Sequence, residues 1–180
     1  NNKVWSVSGF SFPINYPASY GFDNSFGVRA SSWGWATWSD RWKKVDWEVS
    51  DYENFMKDKS AQKEFKRGGS DLVRMLSKQM AGVIDSWAIR FTYSQFKLGC
   101  YDVLPVLSKV VNIGFNGDAT NTQGMEARFG STLDKSGSTI FVFNEVVGTD
   151  ESVLRQFRKP LTIKARVEYK VKAVLKKLKL

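Results

Sequence analysis

Histidine is absent from the sequence, and cysteine occurs once, as Cys100. Without histidine, the chain has no imidazole for a catalytic triad, for the usual zinc sites or for an acid–base pair. One cysteine cannot form a disulfide within the chain, and a single thiol does not make a metal site. Such sparse use of cysteine is typical of a reducing compartment, so we expect a cytoplasmic protein.

Long apolar runs are also missing. No window approaches the roughly 18 to 20 apolar residues that a transmembrane helix needs. The opening residues, NNKVWSVSGF, lack the basic, apolar and small-residue order of a signal peptide. Hydrophobic residues make up 42% and charged residues 25% of the 180 residues, which are the proportions of a globular domain with its own core.

The net charge of +9 belongs to one end of the chain. Arg155–Leu180 holds ten lysines or arginines and one acid, Glu168, whereas the rest of the chain holds equal numbers of acidic and basic residues. The basicity therefore does not indicate that the body binds nucleic acid, and we expect no such partner. We expect residues 1–150 to form one domain and residues 151–180 to form a basic amphipathic tail.

The tail has the pattern of an amphipathic helix. Pro160 suits a helix start, and the apolar residues that follow share one helical face: Val167, Val171, Val174, Leu175 and Leu178. Two interpretations stand. The helix lies on an anionic membrane through residues 155–180, at the inner face of the cytoplasmic membrane, or it docks on the body by its apolar stripe.

We expect an α/β fold that forms part of a mixed sheet flanked by helices, with the WGWATW strand at its centre. The predicted strands cover residues 4–12, 28–38 and 139–143, with further extended segments around Pro105. The predicted helices cover residues 39–58, 60–80 with a break at Gly68 and Gly69, and the stretch from Asp85 to Gly99. Residues 12–27 are predicted to be a loop.

Tryptophan is concentrated in one segment. Four of the seven tryptophans fall in SSWGWATWSDRW, residues 31–42. Because indole is costly to expose and its N–H needs a partner when buried, two interpretations compete. The segment is an aromatic strand of the core, or it is a stacking wall for a ring-shaped ligand. Gly34 within it indicates a bulge or a close backbone approach.

Asp85 is the strongest candidate for a catalytic side chain. It precedes an apolar helix, where backbone N–H groups and the helix dipole would stabilise its carboxylate beside aromatic walls, as a general base requires. The alternative is a plain N-cap. The polar loop NGDATNTQG offers Asp118 and Asn121 as hydrogen-bonding groups, or it is an ordinary surface turn.

Five segments carry a family resemblance: SVSGFSFP, RASSWGWATWSDRWKKVDW, GGSDLVRML, IDSWAIRF and NIGFNGDATNT. Their order and approximate spacing resemble the C-terminal, acceptor-side half of bacterial nucleotide-sugar glycosyltransferases with the GT-A fold. These enzymes are distantly similar to the eukaryotic N-acetylglucosaminyltransferase that begins complex N-glycans. The resemblance spans roughly residues 4–125. It implies transfer of a sugar from a nucleotide-sugar to a saccharide or lipid-linked acceptor, in bacterial surface-polysaccharide synthesis.

The resemblance also implies roles for particular residues. Trp33, Gly34 and Trp35 would shape the donor and acceptor pocket, and Trp87 would back it. Asp118 and Asn121 would contact substrate. Asp85 matches the base that, in inverting members, removes the proton from the acceptor hydroxyl. The hydroxyl oxygen then attacks the anomeric carbon from the face opposite the leaving nucleotide diphosphate.

Two departures from the family pattern concern the metal. Members hold Mn²⁺ or Mg²⁺ with an Asp-x-Asp-like motif in an N-terminal half, and NNKVWSVSGF begins after the place of that motif. The loop that matches GDATNT usually carries a histidine where this chain has Asn121, and an amide oxygen is a weaker ligand. We therefore expect a fragment or truncated form with no metal site and no transfer activity, and a divalent cation only in the full-length enzyme.

The missing half would leave an apolar face, which favours a homo-oligomer or association with another chain. The alternative function is a non-catalytic carbohydrate-binding module that uses the tryptophan cluster as a stacking platform. That alternative explains the indoles, but it does not explain the IDSW helix or the basic tail.

Overall fold

The computed structural model describes residues 1–113, 129–165, 167–169 and 171. Within these ranges one mixed sheet has the strand order β2-β4-β1-β3. Its strands are β1 (Val4–Ser8), β2 (Asn24–Gly27), β3 (Trp35–Thr37) and β4 (Tyr101–Pro105). Strand β4 runs parallel to β1 and antiparallel to β2, and β3 runs antiparallel to β1. The prediction of an α/β protein with a mixed sheet is confirmed.

The helices of the described residues lie mainly between β3 and β4. They are α1 (Ser39–Trp42), α2 (Tyr52–Lys57), α3 (Lys59–Phe65), α4 (Leu72–Met80), α5 (Trp87–Lys97) and α6 (Glu151–Arg158), with 3-10 turns at Lys66–Gly68 and Lys159–Leu161. The predicted break at Gly68 and Gly69 is confirmed, because it separates α3 from α4. The helix beginning just after Asp85 is confirmed as α5.

The single helix predicted for residues 39–58 is wrong, because α1 and α2 are separate. The Asp46 carboxylate accepts hydrogen bonds from the backbone N–H groups of Glu48 and Ser50, at 3.1 and 2.7 Å. Such local bonds compete with helical ones. Val49 then takes a left-handed φ of 52°, which a helix does not allow.

The predicted central position of the WGWATW strand is also wrong. Strand β3 has three residues, pairs only with β1 and lies at the sheet edge. Strand β4 occupies the interior between β1 and β2, and its residues Asp102, Leu104 and Pro105 are buried. Strand β2 lies inside the stretch predicted to be a loop. Residues 139–143 form no strand, although Asp23 donates its N–H to the Val142 carbonyl, at 2.8 Å.

Among the residues that the structure describes, the core has three clusters. Trp5, Val45, Phe91 and Cys100 are buried together, and a second buried group contains Phe10, Phe12, Leu104, Phe157 and Leu161. The third joins α2, α3, α4 and α5 through Phe55, Phe65, Leu72, Leu76, Ile89 and Tyr93. The second and third groups both reach the cleft described below.

Helix α6 is docked on the body. Asp150 accepts hydrogen bonds from the N–H groups of Ser152 and Val153, and so caps the helix N-terminus. Phe157 and Leu161 are buried in the core. Beyond them, residues 163–165 and 167–169 are helical, and the side chains of Ile163, Val167 and Val171 are exposed. No helix among the described residues is long and apolar enough to cross a membrane.

Candidate functional site

A cleft of about 450 Å³ opens where the chain leaves β1, between residues 29–33 and helices α4, α5 and α6. Much of its wall is aromatic, and the polar residues Ser31, Ser32 and Thr92 also line it. Ligand sites commonly combine an apolar wall with a few polar groups that fix orientation. The cleft therefore has the composition of a small-molecule site.

Trp33 belongs to this aromatic wall. Its ring lies edge-on to Phe10, with centroids 4.6 Å apart, and at 6.4 Å from the ring of Phe129. Phe12 links the same group to Phe157 of α6, at 5.1 Å. Edge-to-face contacts of this kind fix ring orientation. The half-buried indole of Trp33 is thus held against the cleft by rings from several parts of the chain.

An ion pair also lines the cleft. Arg29 donates to both carboxylate oxygens of Asp71, at 2.9 and 3.2 Å, and both side chains are largely buried. A two-bonded arginine–carboxylate pair fixes geometry as well as charge. Asp71 stands at the N-cap position of α4, but its side chain makes no capping bond to that helix. The pair instead ties α4 to residues 29–33.

A buried carboxyl lies behind the same segment. Asp102 of β4 is fully buried and accepts hydrogen bonds from the Ser6 hydroxyl at 2.8 Å and the Ser31 N–H at 3.3 Å. Burial, offset only in part by these two donors, raises the pKa of Asp102 to about 7. Asp102 therefore connects the two central strands to a residue that lines the cleft.

The predicted close approach at Gly34 is confirmed. Its φ is +55°, and a Cβ added there would lie 2.6 Å from Cγ1 of Val110. The Gly34 carbonyl accepts a hydrogen bond from the Gly9 N–H, at 2.6 Å. Glycine is thus required at this position by close contacts with Val110 and Gly9 of the same chain. The bend at Gly34 separates Trp33, which lines the cleft, from Trp35 of β3.

Trp35 and Trp87 meet on another part of the surface. Their rings stack with centroids 5.0 Å apart and planes inclined by 23°. Trp42 lies 6.1 Å from Trp87 and 4.7 Å from Trp47. We call these four side chains, Trp35, Trp42, Trp47 and Trp87, the tryptophan cluster. The four indoles of the segment 31–42 therefore divide between the cleft, this cluster and the exposed Trp38.

Asp85 does not have the predicted setting. The N-cap of α5 is Ser86, with no capping bond from its side chain, so Asp85 precedes the helix. The N–H of Ser86 is bound instead by the side-chain oxygen of Gln79, at 2.5 Å. The Asp85 side chain is 98% exposed, and its ionic contact is with Arg90 at 3.8 Å. The expectations of a helix cap and of a rigidly held carboxylate are both wrong.

The position of Asp85 nevertheless relates it to the cleft. Ala88 and Ile89, in the first turn of α5, line the cleft, and Asp85 comes directly before that turn. Trp87 belongs to the same turn. The segment IDSW thus lies between the cleft and the tryptophan cluster.

Asp118 and Asn121 lie outside the described residues. The described part of the chain offers no group of three side chains of the Asp, Glu, Cys or His types that could hold a metal ion.

Several residues of the site were not anticipated. Phe10, Phe12, Arg29 and Asp102 were not singled out in the sequence. The sequence could have indicated that Asp102 is buried, because it is a lone acid within the apolar strand YDVLP, where burial is expected. The pairing of Arg29 with Asp71 had no such signal, because tertiary packing alone brings the two segments together.

The chain was compared with family models, curated proteins and solved structures, and none of them matches it.

Proposed function

We propose that the chain binds a saccharide in the cleft and forms the acceptor side of a nucleotide-sugar glycosyltransferase. One observation carries the proposal. The two segments with the most distinctive resemblance, WGWATW and IDSWA, are distant in sequence and adjacent in the fold. Trp35 stacks on Trp87, and both Trp33 and Ala88 line the cleft.

The chemistry of the cleft suits a sugar. The Trp33 indole offers an apolar face to the C–H groups of a sugar ring, whereas Ser31, Ser32 and Thr92 offer hydroxyls of the kind that pair with sugar hydroxyls. Because Arg29 is already paired with Asp71, its charge is neutralised within the protein. The proposed ligand in the cleft is therefore an uncharged sugar residue.

Asp85 is the proposed base. Its carboxylate is exposed just before the helical turn that carries Ala88 and Ile89 of the cleft. Removal of the hydroxyl proton by Asp85 leaves the oxygen as the nucleophile for the anomeric carbon. A new glycosidic bond forms as the bond to the nucleotide diphosphate breaks. A carbohydrate-binding module would use the same cleft without this step.

We also propose that the C-terminal basic segment contacts an anionic membrane. The stripe predicted for the tail includes Val167 and Val171, and both side chains are exposed in the structure. Docking through these positions on the described body is therefore not observed. Membrane contact suits an enzyme with a lipid-linked acceptor.

Saccharide binding tests the proposal directly. Glucose, galactose, mannose and N-acetylglucosamine are titrated against the protein and followed by saturation-transfer NMR. At least one should bind, and Trp33→Ala should weaken that binding about tenfold, since it removes the stacking face. Trp38→Ala is the matched control, because Trp38 is exposed and lies in the same segment but does not line the cleft. Equal effects of the two substitutions, or no binding of any sugar, would contradict the proposal.

A further inference from the structure

The tryptophan cluster presents aromatic surface to solvent. Trp42 is 42% and Trp87 is 38% exposed, whereas Trp5, beneath the same region of the sheet, is 1% exposed. A domain of this size has room to bury such rings, and large exposed aromatic groups commonly mark binding surfaces. These two indoles therefore need an explanation other than core packing.

The exposed rings are held in place. Trp87 stacks on Trp35 and lies 6.1 Å from Phe91, which is completely buried. Trp42 also contacts Trp35, Trp47 and Phe91, with centroids between 4.7 and 6.4 Å apart. Rings packed this way lose little further freedom when a ligand binds, which is a property of preorganised sites.

The charges around the cluster favour an uncharged ligand. Residues 40–48 carry three acids and three bases: Asp40, Asp46, Glu48, Arg41, Lys43 and Lys44. Asp85 and Arg90, beside Trp87, add one charge of each sign. A polyanion such as nucleic acid or an anionic membrane would meet no net positive field here. A polyhydroxylated ligand would find both donors and acceptors around the apolar faces.

The cluster and the cleft share the first turn of α5. Trp87 belongs to the cluster, and the next two residues, Ala88 and Ile89, line the cleft.

We propose that the tryptophan cluster is a second saccharide subsite, which binds the further residues of an oligosaccharide whose terminal residue occupies the cleft. This inference rests on the proposed saccharide site in the cleft and extends it, because it makes the acceptor a chain of several uncharged sugars. Trp42 is the residue assigned to the subsite alone. Trp33 lines the cleft, and Trp87 shares a helical turn with residues that line it.

Oligosaccharide length is the variable that tests the subsite. The four monosaccharides named above and their oligomers of two to six residues are titrated by isothermal calorimetry. Affinity should rise about tenfold or more between the monosaccharide and the longer oligomers, as new aromatic contacts form. Trp42→Ala should abolish this gain and leave the monosaccharide affinity unchanged. Trp42→Phe should restore part of the gain, and thermal unfolding of each variant checks that it is folded.

The matched control is again Trp38→Ala, because Trp38 is 47% exposed and packs on Arg41 rather than in the cluster. It should leave both affinities unchanged. Equal affinity for monosaccharide and oligosaccharide would overturn the subsite and leave the cleft proposal standing. A loss of monosaccharide binding in Trp42→Ala, or an equal effect of Trp38→Ala, would also overturn it. Absence of binding by every sugar would overturn the cleft proposal, and the subsite with it.

Discussion

Trp35 of β3 and Trp87 of α5 stack on each other, 5.0 Å between ring centroids, and thereby join the edge of the sheet to a helix. A double-mutant cycle with Trp35→Ala and Trp87→Ala should give a coupling free energy of about 0.5–1.5 kcal/mol, as for other aromatic pairs. Urea unfolding of the four proteins measures it. Additive effects would mean that the contact contributes no stability of its own.

The bend at Gly34 should not tolerate a side chain. Gly34→Ala must adopt a left-handed φ and also place its Cβ against Val110, so we expect a loss of about 2–4 kcal/mol in the free energy of unfolding. Gly82→Ala is the control, because Gly82 has a φ of +67° but open space around it. Its cost should be about 1–2 kcal/mol. Equal losses at both positions would show that Val110 yields without cost, and a smaller loss at Gly34 when Val110→Ala is added would confirm the crowding.

The buried carboxyl of Asp102 should make stability depend on pH. Its pKa is about 7 in the folded chain, against about 4 in the unfolded chain. Below pH 4 the Asp102 carboxyl is protonated in both the folded and the unfolded chain, and the free energy of unfolding is at its highest with respect to this group. Between pH 4 and 7 only the folded state holds the proton, so the free energy of unfolding falls as pH rises, and above about 7 the loss is complete.

Asp102→Asn should remove that fall, which is read from urea unfolding at several pH values. The amide keeps an oxygen that can accept the bond from Ser6 or Ser31. An unchanged profile in Asp102→Asn would mean that other groups carry the pH dependence.

Asp85→Asn separates a transferase from a binding module. The change should alter the free energy of unfolding by less than about 0.5 kcal/mol, because the side chain is exposed and caps no helix. Under the proposed transferase function, turnover should fall by roughly two to four orders of magnitude. Saccharide affinity should stay the same. Undiminished turnover would remove Asp85 from the proposed mechanism.

The membrane proposal is tested by a deletion placed after the docked part of the tail. Removal of residues 155–180 would take away the buried Phe157 and Leu161, so residues 163–180 are removed instead. The intact chain should float with anionic vesicles at low salt, with each basic residue near the surface contributing about 1 kcal/mol. The chain that lacks residues 163–180 should not float with these vesicles. Equal flotation with neutral and anionic vesicles would contradict the proposal.

The sequence predicted those elements that local signals define. The glycine pair between α3 and α4, the helix after Asp85 and the bend at Gly34 depend on residues close in sequence, whereas the contact between Gly34 and Val110 does not. Local patterns did not reveal which strand is central, because β4 takes that place through pairing with distant partners. They also did not show how the indoles divide. Trp33 and Trp35 have the same sequence pattern, although one lines the cleft and the other belongs to the tryptophan cluster. The bend at Gly34 places their side chains on these two different surfaces.

The interior position of β4 has a consequence for the order of folding. Strands β1 and β3 can pair early, since both precede the helices. In the described sheet, the one partner of β2 is β4, so β2 stays unpaired there until residues 101–105 arrive. Closing so long a loop is entropically slow, and non-local pairing of this kind limits folding rates. The helical cluster between β3 and β4 has mainly local contacts, and by forming first it brings the last strand to the gap between its two partners.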